Sequence, residues 1–163
     1  MKTIRSIIFT IIIPGGVAVG IPFWLLAGHR VSDFDAGLLR WLALLPGIAG
    51  LLLLFISVFE FLLKGGGSPA IWFTRPLSWL IGKEPDQLVE GRFYRFTRNP
   101  MYLGVFLLVM GESLWFSSFR LLGYALLLFA VFHLVVKYLE EPHLRNKYGE
   151  PYLEYCRKVP RWI

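Results

Sequence analysis

The chain has 163 residues, of which 56% are hydrophobic and 17% charged, a balance too apolar for an ordinary water-soluble domain. The formal net charge of +6 does not indicate nucleic acid, because the basic residues flank the apolar segments, as membrane anchors do. A single cysteine, Cys156, excludes an internal disulfide and cannot alone build a zinc site. We therefore expect residues 1–163 to form one all-α integral membrane domain, with no nucleic-acid partner and no metal.

Four apolar segments have about the 20 helical residues that cross a bilayer, and they lie at residues 4–26, 37–63, 99–116 and 119–139. The first is interrupted by Pro14-Gly15-Gly16 and by Pro22, so we expect a kinked helix there. Its start, with Lys2 and Arg5 before an apolar run, also resembles a secretory signal peptide. Because no small-x-small cleavage site follows, we interpret the segment as a retained span.

The connections between these segments differ in character. Gly65-Gly66-Gly67-Ser68-Pro69 is a flexible break that lacks the Gly-Lys-Ser/Thr of a phosphate loop. Residues 71–81 are aromatic and apolar but too short to span, so we expect them in the membrane interface. Only Ser117 and Ser118 separate the third and fourth segments, which predicts that these two helices are antiparallel neighbours.

The residues after the fourth segment predict a short helical hairpin on the cytoplasmic side. The fourth helix can continue to Tyr148, where Gly149 suits a C-terminal cap and Pro151 suits the first turn of a new helix. Pro160 then ends that helix. Apolar residues recur at three- and four-residue spacing on one face of the hairpin: Leu144, Tyr148, Tyr152 and Tyr155.

The distribution of lysine and arginine predicts the orientation in the membrane. Two basic residues precede the first segment, six lie between residues 64 and 98, and six lie from residue 137 onward. These are 14 of the 17 basic residues, and the opposite side holds only Arg30, Arg40 and Arg120. We therefore expect both termini in the cytoplasm and a location in the inner or plasma membrane if the source is prokaryotic.

A polar motif, Arg98-Asn99-Pro100, opens the third segment. Proline fixes the first helical turn and Asn99 is a favourable N-cap residue, so the positive end of the helix faces the cytoplasm. The basic cluster beside it consists of Arg92, Arg95 and Arg98, next to Tyr94 and Tyr102. It suits an anionic group, either the carboxylate or phosphate of a cofactor or the headgroup of a lipid.

A second polar motif, Glu140-Glu141, stands at the end of the fourth segment. Two carboxylates at the C-terminal end of a helix oppose its dipole, which favours a functional role over simple solvation. At helical spacing they share one face with His133 and Lys137. We expect Lys137 to extend to the membrane surface and His133 to be a hydrogen-bonded core residue, since only His143 lies near enough to join it as a metal ligand.

At these residues the chain resembles the isoprenylcysteine carboxyl methyltransferase family, membrane methyltransferases related to the phospholipid methyltransferases. The resemblance covers about residues 64–163 and rests on four stretches in order. They are Gly65-Gly66-Gly67-Ser68-Pro69; Gly91-x-x-Tyr94-Arg95-x-x-Arg98-Asn99-Pro100-x-Tyr102-x-Gly104; Glu140-Glu141-x-x-Leu144; and Tyr148-Gly149-x-x-Tyr152-x-x-Tyr155 followed by Val159-Pro160-Arg161. Many members of the family have histidine where Asn99 stands.

The resemblance implies S-adenosylmethionine-dependent methyl transfer in a multi-helix membrane fold without a Rossmann domain. For this activity our catalytic candidates are Glu141 and His133, because an amine acceptor would need a base, for which His133 or a glutamate could serve. The acceptor is a lipophilic small molecule or a lipidated substrate, a prenylated cysteine or a phospholipid amine among others. Membrane lipids are the remaining partners, with no obligate protein partner. Cofactor-binding positions carry over to Arg98, Asn99, Pro100, Tyr102, Glu140 and Glu141. We expect Tyr94, Leu144, Tyr148 and Tyr152 to belong to the same cofactor pocket.

Two other readings of the sequence remain open. Lys147-Tyr148-Gly149 and the ending Tyr155-Cys156-Arg157-Lys158-Val159-Pro160 also look like the last part of membrane sterol reductases, which use NADPH. Alternatively, the chain is a non-catalytic membrane protein whose basic face binds anionic lipid. The enzymatic interpretation requires Arg98 to lie close to the Glu140-Glu141 pair.

Overall fold

The computed structural model describes residues 11–27, 33–64 and 91–163, and every regular element in these ranges is helical. Six α-helices are α1 (Ile21–Leu26), α2 (Leu44–Lys64), α3 (Pro100–Trp115), α4 (Phe119–Val135), α5 (Glu141–Tyr148) and α6 (Glu150–Lys158). Two π-helical segments, Ile11–Gly20 and Val136–Glu140, and two 3₁₀ segments, Gly37–Ala43 and Phe93–Arg95, adjoin them. The described part contains no strand and therefore no Rossmann fold. The predicted break at residues 65–69 and the interfacial segment at 71–81 lie outside the described residues.

The first segment, in which a kinked helix was expected, changes from a π-helix to an α-helix. Residues Ile11–Gly20 form a π-helix that contains Pro14, and α1 begins directly after it with Pro22 in its first turn. Pro14 has no N–H to donate and its ring collides with the carbonyl four residues earlier, so a regular α-helix is disfavoured through this stretch.

Two of the helices are long and apolar enough to cross a membrane: Gly37–Glu60, with 24 residues, and Phe119–Tyr148, with 30. The apolar helices Ile12–Leu26 and Pro100–Trp115 are shorter, so two of the four predicted spans have a helix that could cross a membrane, and four spans stay a prediction. Large apolar side chains on the outer faces remain exposed, among them Phe55 at 66% and Leu127 at 63%. Such exposure is expected where the surroundings are lipid rather than water.

The closest helix pair, α2 and α3, is in contact through glycine backbones. A Cβ on Gly50 would lie 2.6 Å from the carbonyl oxygen of Gly104, and one on Gly111 would lie 2.9 Å from the Cα of Gly47. Small residues at such a crossing let two helices approach far more closely than larger side chains allow. The glycines thus fix the position of α3, whose first turn carries the Arg98 motif.

The predicted short connection between α3 and α4 is confirmed, but it has three residues, Phe116, Ser117 and Ser118, because α3 ends at Trp115, one residue earlier than expected. Ser117, with a φ of 51°, and Ser118 reverse the chain, and α3 and α4 pack side by side. The first turn of α4 is held by Asp33, whose Oδ2 accepts from the backbone N–H of Phe119 (2.8 Å) and the Ser118 hydroxyl (3.1 Å). A carboxylate here satisfies an orphan N–H and opposes the positive helix end.

The predicted helical hairpin after α4 is also confirmed. The helix continues through the π segment and α5 to Tyr148, Gly149 takes a φ of 62°, and α6 begins with Pro151 in its first turn. A positive φ is readily adopted by glycine, which explains the sharp reversal at this residue. Residues 159–163, called the strap below, follow α6 and return to the start of α3.

Candidate functional site

The two polar motifs meet where α3 begins and α5 begins. Arg98 Nη1 lies 3.0 Å from Glu141 Oε1, and the Glu141 residue is 4% exposed. The predicted convergence of the basic and acidic motifs is therefore confirmed. Pro100 starts α3, and Asn99 before it has a non-helical backbone, with a φ of −129° and a ψ of 53°, so Arg98 lies outside the helix.

The strap supplies a second arginine to the same carboxylate. Arg161 donates from Nε to Glu141 Oε1 at 2.7 Å and from Nη2 to Oε2 at 2.9 Å. This bond to Glu141 raises the pKa of Arg161 above its usual value. Two guanidinium groups around one buried carboxylate compensate for the cost of removing the charge from solvent.

The strap is also bound to the Arg98 motif by three other hydrogen bonds. The backbone N–H of Arg98 donates to the carbonyl of Pro160 at 3.0 Å. The carbonyl of Arg161 accepts from the Thr97 hydroxyl at 3.1 Å and from Asn99 Nδ2 at 2.9 Å. Asn99 stands at the N-cap position, but its side chain does not cap α3, so the N-cap interpretation of that side chain is wrong. The amide is used instead to hold the strap.

Glu140, the other member of the acidic pair, faces a different partner. Its Oε2 accepts from the Tyr102 hydroxyl at 2.9 Å, and the Tyr102 ring packs on Phe132 with centroids 4.8 Å apart. The π-helical segment Val136–Glu140 widens the turn before Glu141, so the two neighbouring acids point to separate partners. Lys137 is exposed and lies over the Tyr138 ring at 4.9 Å.

His133 is contacted by the strap. The indole Nε1 of Trp162 donates to His133 Nδ1 at 3.1 Å, and the Trp162 ring packs against Phe129 with centroids 5.0 Å apart. His133 is thus joined to Glu141 through two consecutive strap residues, Arg161 and Trp162.

Glu60, near the end of α2, is a site residue that the sequence interpretation left without a role. It is 5% exposed, and one of its oxygens accepts from the backbone N–H of Arg92. Gly91 lies so close to this carboxylate that a Cβ there would collide with it. An acidic residue inside a long apolar helix is the sequence signal for such a site.

Tyr94 connects this acid to the hairpin. Its backbone carbonyl accepts from the Tyr155 hydroxyl at 2.7 Å. Burial raises the pKa of the Tyr94 hydroxyl, and the nearby Tyr155, Glu140 and Glu60 raise it further. The Tyr94 hydroxyl therefore stays protonated, as a donor close to two carboxylates.

The remaining predicted positions belong to the packing of the hairpin. Tyr152, Tyr155 and Val159 form a buried cluster, against which Leu144 and Tyr148 pack. Tyr152 is 2% exposed, and burial raises the pKa of its hydroxyl. The predicted apolar face of the hairpin is confirmed by this packing, while the assignment of Leu144, Tyr148 and Tyr152 to the cofactor stays a prediction.

Two buried atoms of the site have no hydrogen-bond partner within the described residues, Arg98 Nε and Glu60 Oε2. A guanidinium N–H is a donor for a carboxylate, and a carboxylate oxygen is an acceptor for an ammonium group. The residues therefore fit the amino-acid end of S-adenosylmethionine, the cofactor that the resemblance implies. No group of three or more His, Cys, Asp or Glu residues that could hold a metal occurs in the described ranges.

Comparison with known proteins agrees with the resemblance. The family model described as phospholipid methyltransferase matches residues 69–151, just over half of the chain. Searches of curated proteins and of solved structures found no match. The matched region contains Arg98, Tyr102 and the Glu140-Glu141 pair, and its family consists of membrane methyltransferases related to the isoprenylcysteine carboxyl methyltransferases. The chain belongs to the phospholipid methyltransferase family and is a membrane protein.

Proposed function

We propose that this protein transfers a methyl group from S-adenosylmethionine to a lipophilic acceptor at the cytoplasmic face of a membrane. The observation that carries the proposal is the pairing of Arg98 with Glu141, 3.0 Å apart and buried, inside the region matched by the family model. An ion pair at the ends of apolar helices is costly and is typical of a functional site.

Different residues of the chain bind different groups of the cofactor in this proposal. Arg98 holds a carboxylate through its unpartnered Nε, and Glu140 with Glu60 supplies negative charge for cationic groups. Tyr94 and Tyr102 offer aromatic faces, where attraction to a cation contributes about 1–2 kcal/mol. The cofactor, when bound, supplies a methyl group on a positively charged sulfur. Glu141, with both oxygens bonded to Arg161, is then a positioning residue that holds Arg98 in place.

The acceptor approaches from the lipid side in this proposal. A small apolar cavity of about 40 Å³ lies between the first helical segment, α3 and α4, with Val17, Tyr102 and Phe132 in its wall. Its position next to the Tyr102–Glu140 pair supports entry of a hydrophobic chain from the bilayer. A carboxylate acceptor, as in an isoprenylcysteine, is ionised at neutral pH and needs no base. A lipid amine must lose a proton, for which His133 or a glutamate is available.

Titration with S-adenosylhomocysteine tests the cofactor. We expect saturable binding that raises the unfolding temperature of the protein in detergent, and none with NADPH. Glu140→Gln should weaken the binding at least tenfold, about 1.4 kcal/mol, because it removes a charge from the site. Glu150→Gln is the matched control, since Glu150 is exposed and pairs with the exposed Arg157 at 3.3 Å. Stabilisation by NADPH instead, or by anionic lipid alone, would refute methyl transfer.

Labelling identifies the acceptor class. Native membranes containing the protein are incubated with a methyl-tritiated donor, and the labelled species are identified by mass spectrometry. Base-labile label indicates a methyl ester on a carboxylate, whereas base-stable label in a phospholipid headgroup indicates an amine. Absence of label in any lipid or lipidated protein, under conditions where the cofactor binds, would contradict a lipophilic acceptor.

The orientation is tested with single cysteines in a Cys156→Ser background. Asn146→Cys, on exposed α5, is expected to react with an impermeant maleimide only in inverted vesicles. Arg120→Cys, at the turn between α3 and α4, should react only in right-side-out vesicles. The reverse pattern would put the site on the other face of the membrane, away from cytoplasmic cofactor.

A further inference from the structure

A second cavity, of about 390 Å³, has Tyr94 in its wall. It separates the 3₁₀ segment Phe93–Arg95 from α6, and its wall includes Tyr94, Arg95, Glu154, Tyr155 and Lys158. None of the residues in the Arg98–Glu141–Arg161 network lines it. The volume is within the range of small-molecule sites, and Tyr94 is the one residue of its wall that methyl transfer as proposed above uses.

The two cations in the wall of this cavity are unpaired within the part of the chain that the structure describes. Arg95 on one wall and Lys158 on the other make no ion pair or hydrogen bond with the described residues. By contrast, the neighbouring Arg98 is paired with Glu141, and Arg157 is paired with Glu150. The cavity wall carries two positive charges, from Arg95 and Lys158, and one negative charge, from Glu154. Its net charge is therefore positive. Such a lining attracts an anion small enough to reach both walls.

The location of the cavity indicates the source of that anion. Arg95 comes just before α3, the apolar helix that starts at Pro100, so the cavity lies close to the end of the apolar region. Phe96, the next residue, is 71% exposed, although it is a large apolar side chain. An exposed aromatic residue directly beside a cation at the end of an apolar helix is typical of the membrane–water interface.

We propose that this cleft binds the phosphate of a membrane lipid headgroup through Arg95 and Lys158. Tyr94 and Tyr155 close its inner wall, and Phe96 lies in the lipid beside it. The carboxylate of Glu154 weakens binding of the anion and limits the charge that the cleft accepts. The assignment is independent of the proposed methyl transfer, because it rests on residues outside the paired site.

The test uses the purified full chain in neutral detergent and a soluble short-chain lipid, dihexanoyl phosphatidylglycerol, at constant ionic strength. We expect a saturable rise in unfolding temperature, followed by tryptophan fluorescence. The double variant Arg95→Gln/Lys158→Gln should bind the lipid at least tenfold more weakly. The control Arg92→Gln/Arg157→Gln removes the same charge from exposed neighbours outside the cavity and should change the affinity less than about twofold.

Two further measurements sharpen the result. Glu154→Gln should bind the lipid more tightly than the unmodified chain, because it removes the one negative charge from the cavity. Glycerol 3-phosphate and inorganic phosphate distinguish the sources: weaker binding of both than of the lipid supports a membrane headgroup, whereas equal binding overturns the lipid assignment in favour of a soluble phosphate. Equal losses of lipid affinity in the two double variants, or weaker lipid binding by Glu154→Gln, would show that the anion does not bind in this cavity.

Discussion

Arg161 holds both oxygens of Glu141 at 2.7 and 2.9 Å, although the two residues are 20 positions apart. This pair joins the strap to the junction between α4 and α5, where Arg98 also meets the acid. A parallel two-bond geometry fixes the plane of the carboxylate as well as its distance. The orientation of Arg98, and with it the proposed cofactor site, therefore depends on a residue outside the transmembrane helices.

Replacing Arg161 should destabilise the fold, because the buried carboxylate of Glu141 loses two of its hydrogen-bond donors. Arg161→Ala removes two charge-assisted bonds from a carboxylate that is 4% exposed, and we expect a loss of about 2–3 kcal/mol. Arg161→Lys keeps the charge but not the two-bond geometry, so an intermediate loss is expected. The measurement is thermal or denaturant unfolding in detergent.

Arg157→Ala is the control for that experiment. Arg157 pairs with Glu150 at 3.3 Å, and both side chains are more than 60% exposed, so we expect a loss below about 1 kcal/mol. Equal losses for Arg157→Ala and Arg161→Ala would mean that the strap does not hold Glu141 in the folded protein.

Any side chain at the glycine contact between α2 and α3 should destabilise the protein. In Gly50→Ala the new Cβ meets backbone atoms of Gly104 and Leu108, both at 2.6 Å, so the helices must separate. We expect a loss of about 1–3 kcal/mol by unfolding in detergent, the range for overpacking a well-packed contact.

Gly123→Ala on α4 provides the comparison for the glycine experiment. A Cβ at Gly123 has no neighbour within 4 Å, so alanine there should be neutral or should stabilise by about 0.5–1 kcal/mol through its helix propensity. The proposed close crossing of α2 and α3 would be contradicted if Gly50→Ala were as stable as Gly123→Ala.

Local sequence signals predict the hairpin and the turns well. Gly149 and Pro151 each restrict the backbone through their own covalent structure, so their effect does not depend on distant residues. Likewise, the three residues between α3 and α4 are too few for anything but a reversal of direction. The contact between Arg98 and Glu141 can be predicted from this reversal, because it brings both motifs to the same end of the helix pair.

Contacts that depend on tertiary approach could not be read from the sequence in the same way. Asn99 has the chemistry of an N-cap, but the carbonyl of Arg161 lies within reach and its side chain binds there instead. Glu60 receives its role only because the backbone after residue 90 folds back onto α2. The π-helical turn before Glu141 also has no strong residue signature, and it changes which side chains share a face.

Asp33 provides the cap that the first turn of α4 lacks, since Ser118 makes no side-chain cap of its own. Asp33→Ala should destabilise the protein by about 1 kcal/mol, because the N–H of Phe119 loses its acceptor at 2.8 Å. Asp33→Asn retains an acceptor oxygen and should recover most of that loss in the same unfolding measurement. Failure of asparagine to recover any stability would show that charge, and not capping, is what Asp33 provides.

The hydroxyl of Tyr102 and the carboxylate of Glu140 can be tested as a unit by a double-mutant cycle. Tyr102→Phe removes the bond at 2.9 Å and Glu140→Gln removes the charge from its acceptor, so the double variant should be less destabilised than the sum of the single variants. We expect a coupling energy of about 1–2 kcal/mol, because one partner is charged. Tyr124→Phe, whose hydroxyl bonds to the carbonyl of Val17 at 2.9 Å, should show no coupling with Glu140→Gln.

The same cycle distinguishes a structural bond from one that orients a ligand group. If Tyr102 holds Glu140 toward the cofactor, Tyr102→Phe should weaken S-adenosylhomocysteine binding in the unmodified chain and have much less effect in the Glu140→Gln background. If the bond only stabilises the fold, unfolding free energies will show coupling, while the affinity for S-adenosylhomocysteine will not change with Tyr102→Phe in either background. Additive losses of affinity would indicate that the two side chains contact the cofactor independently.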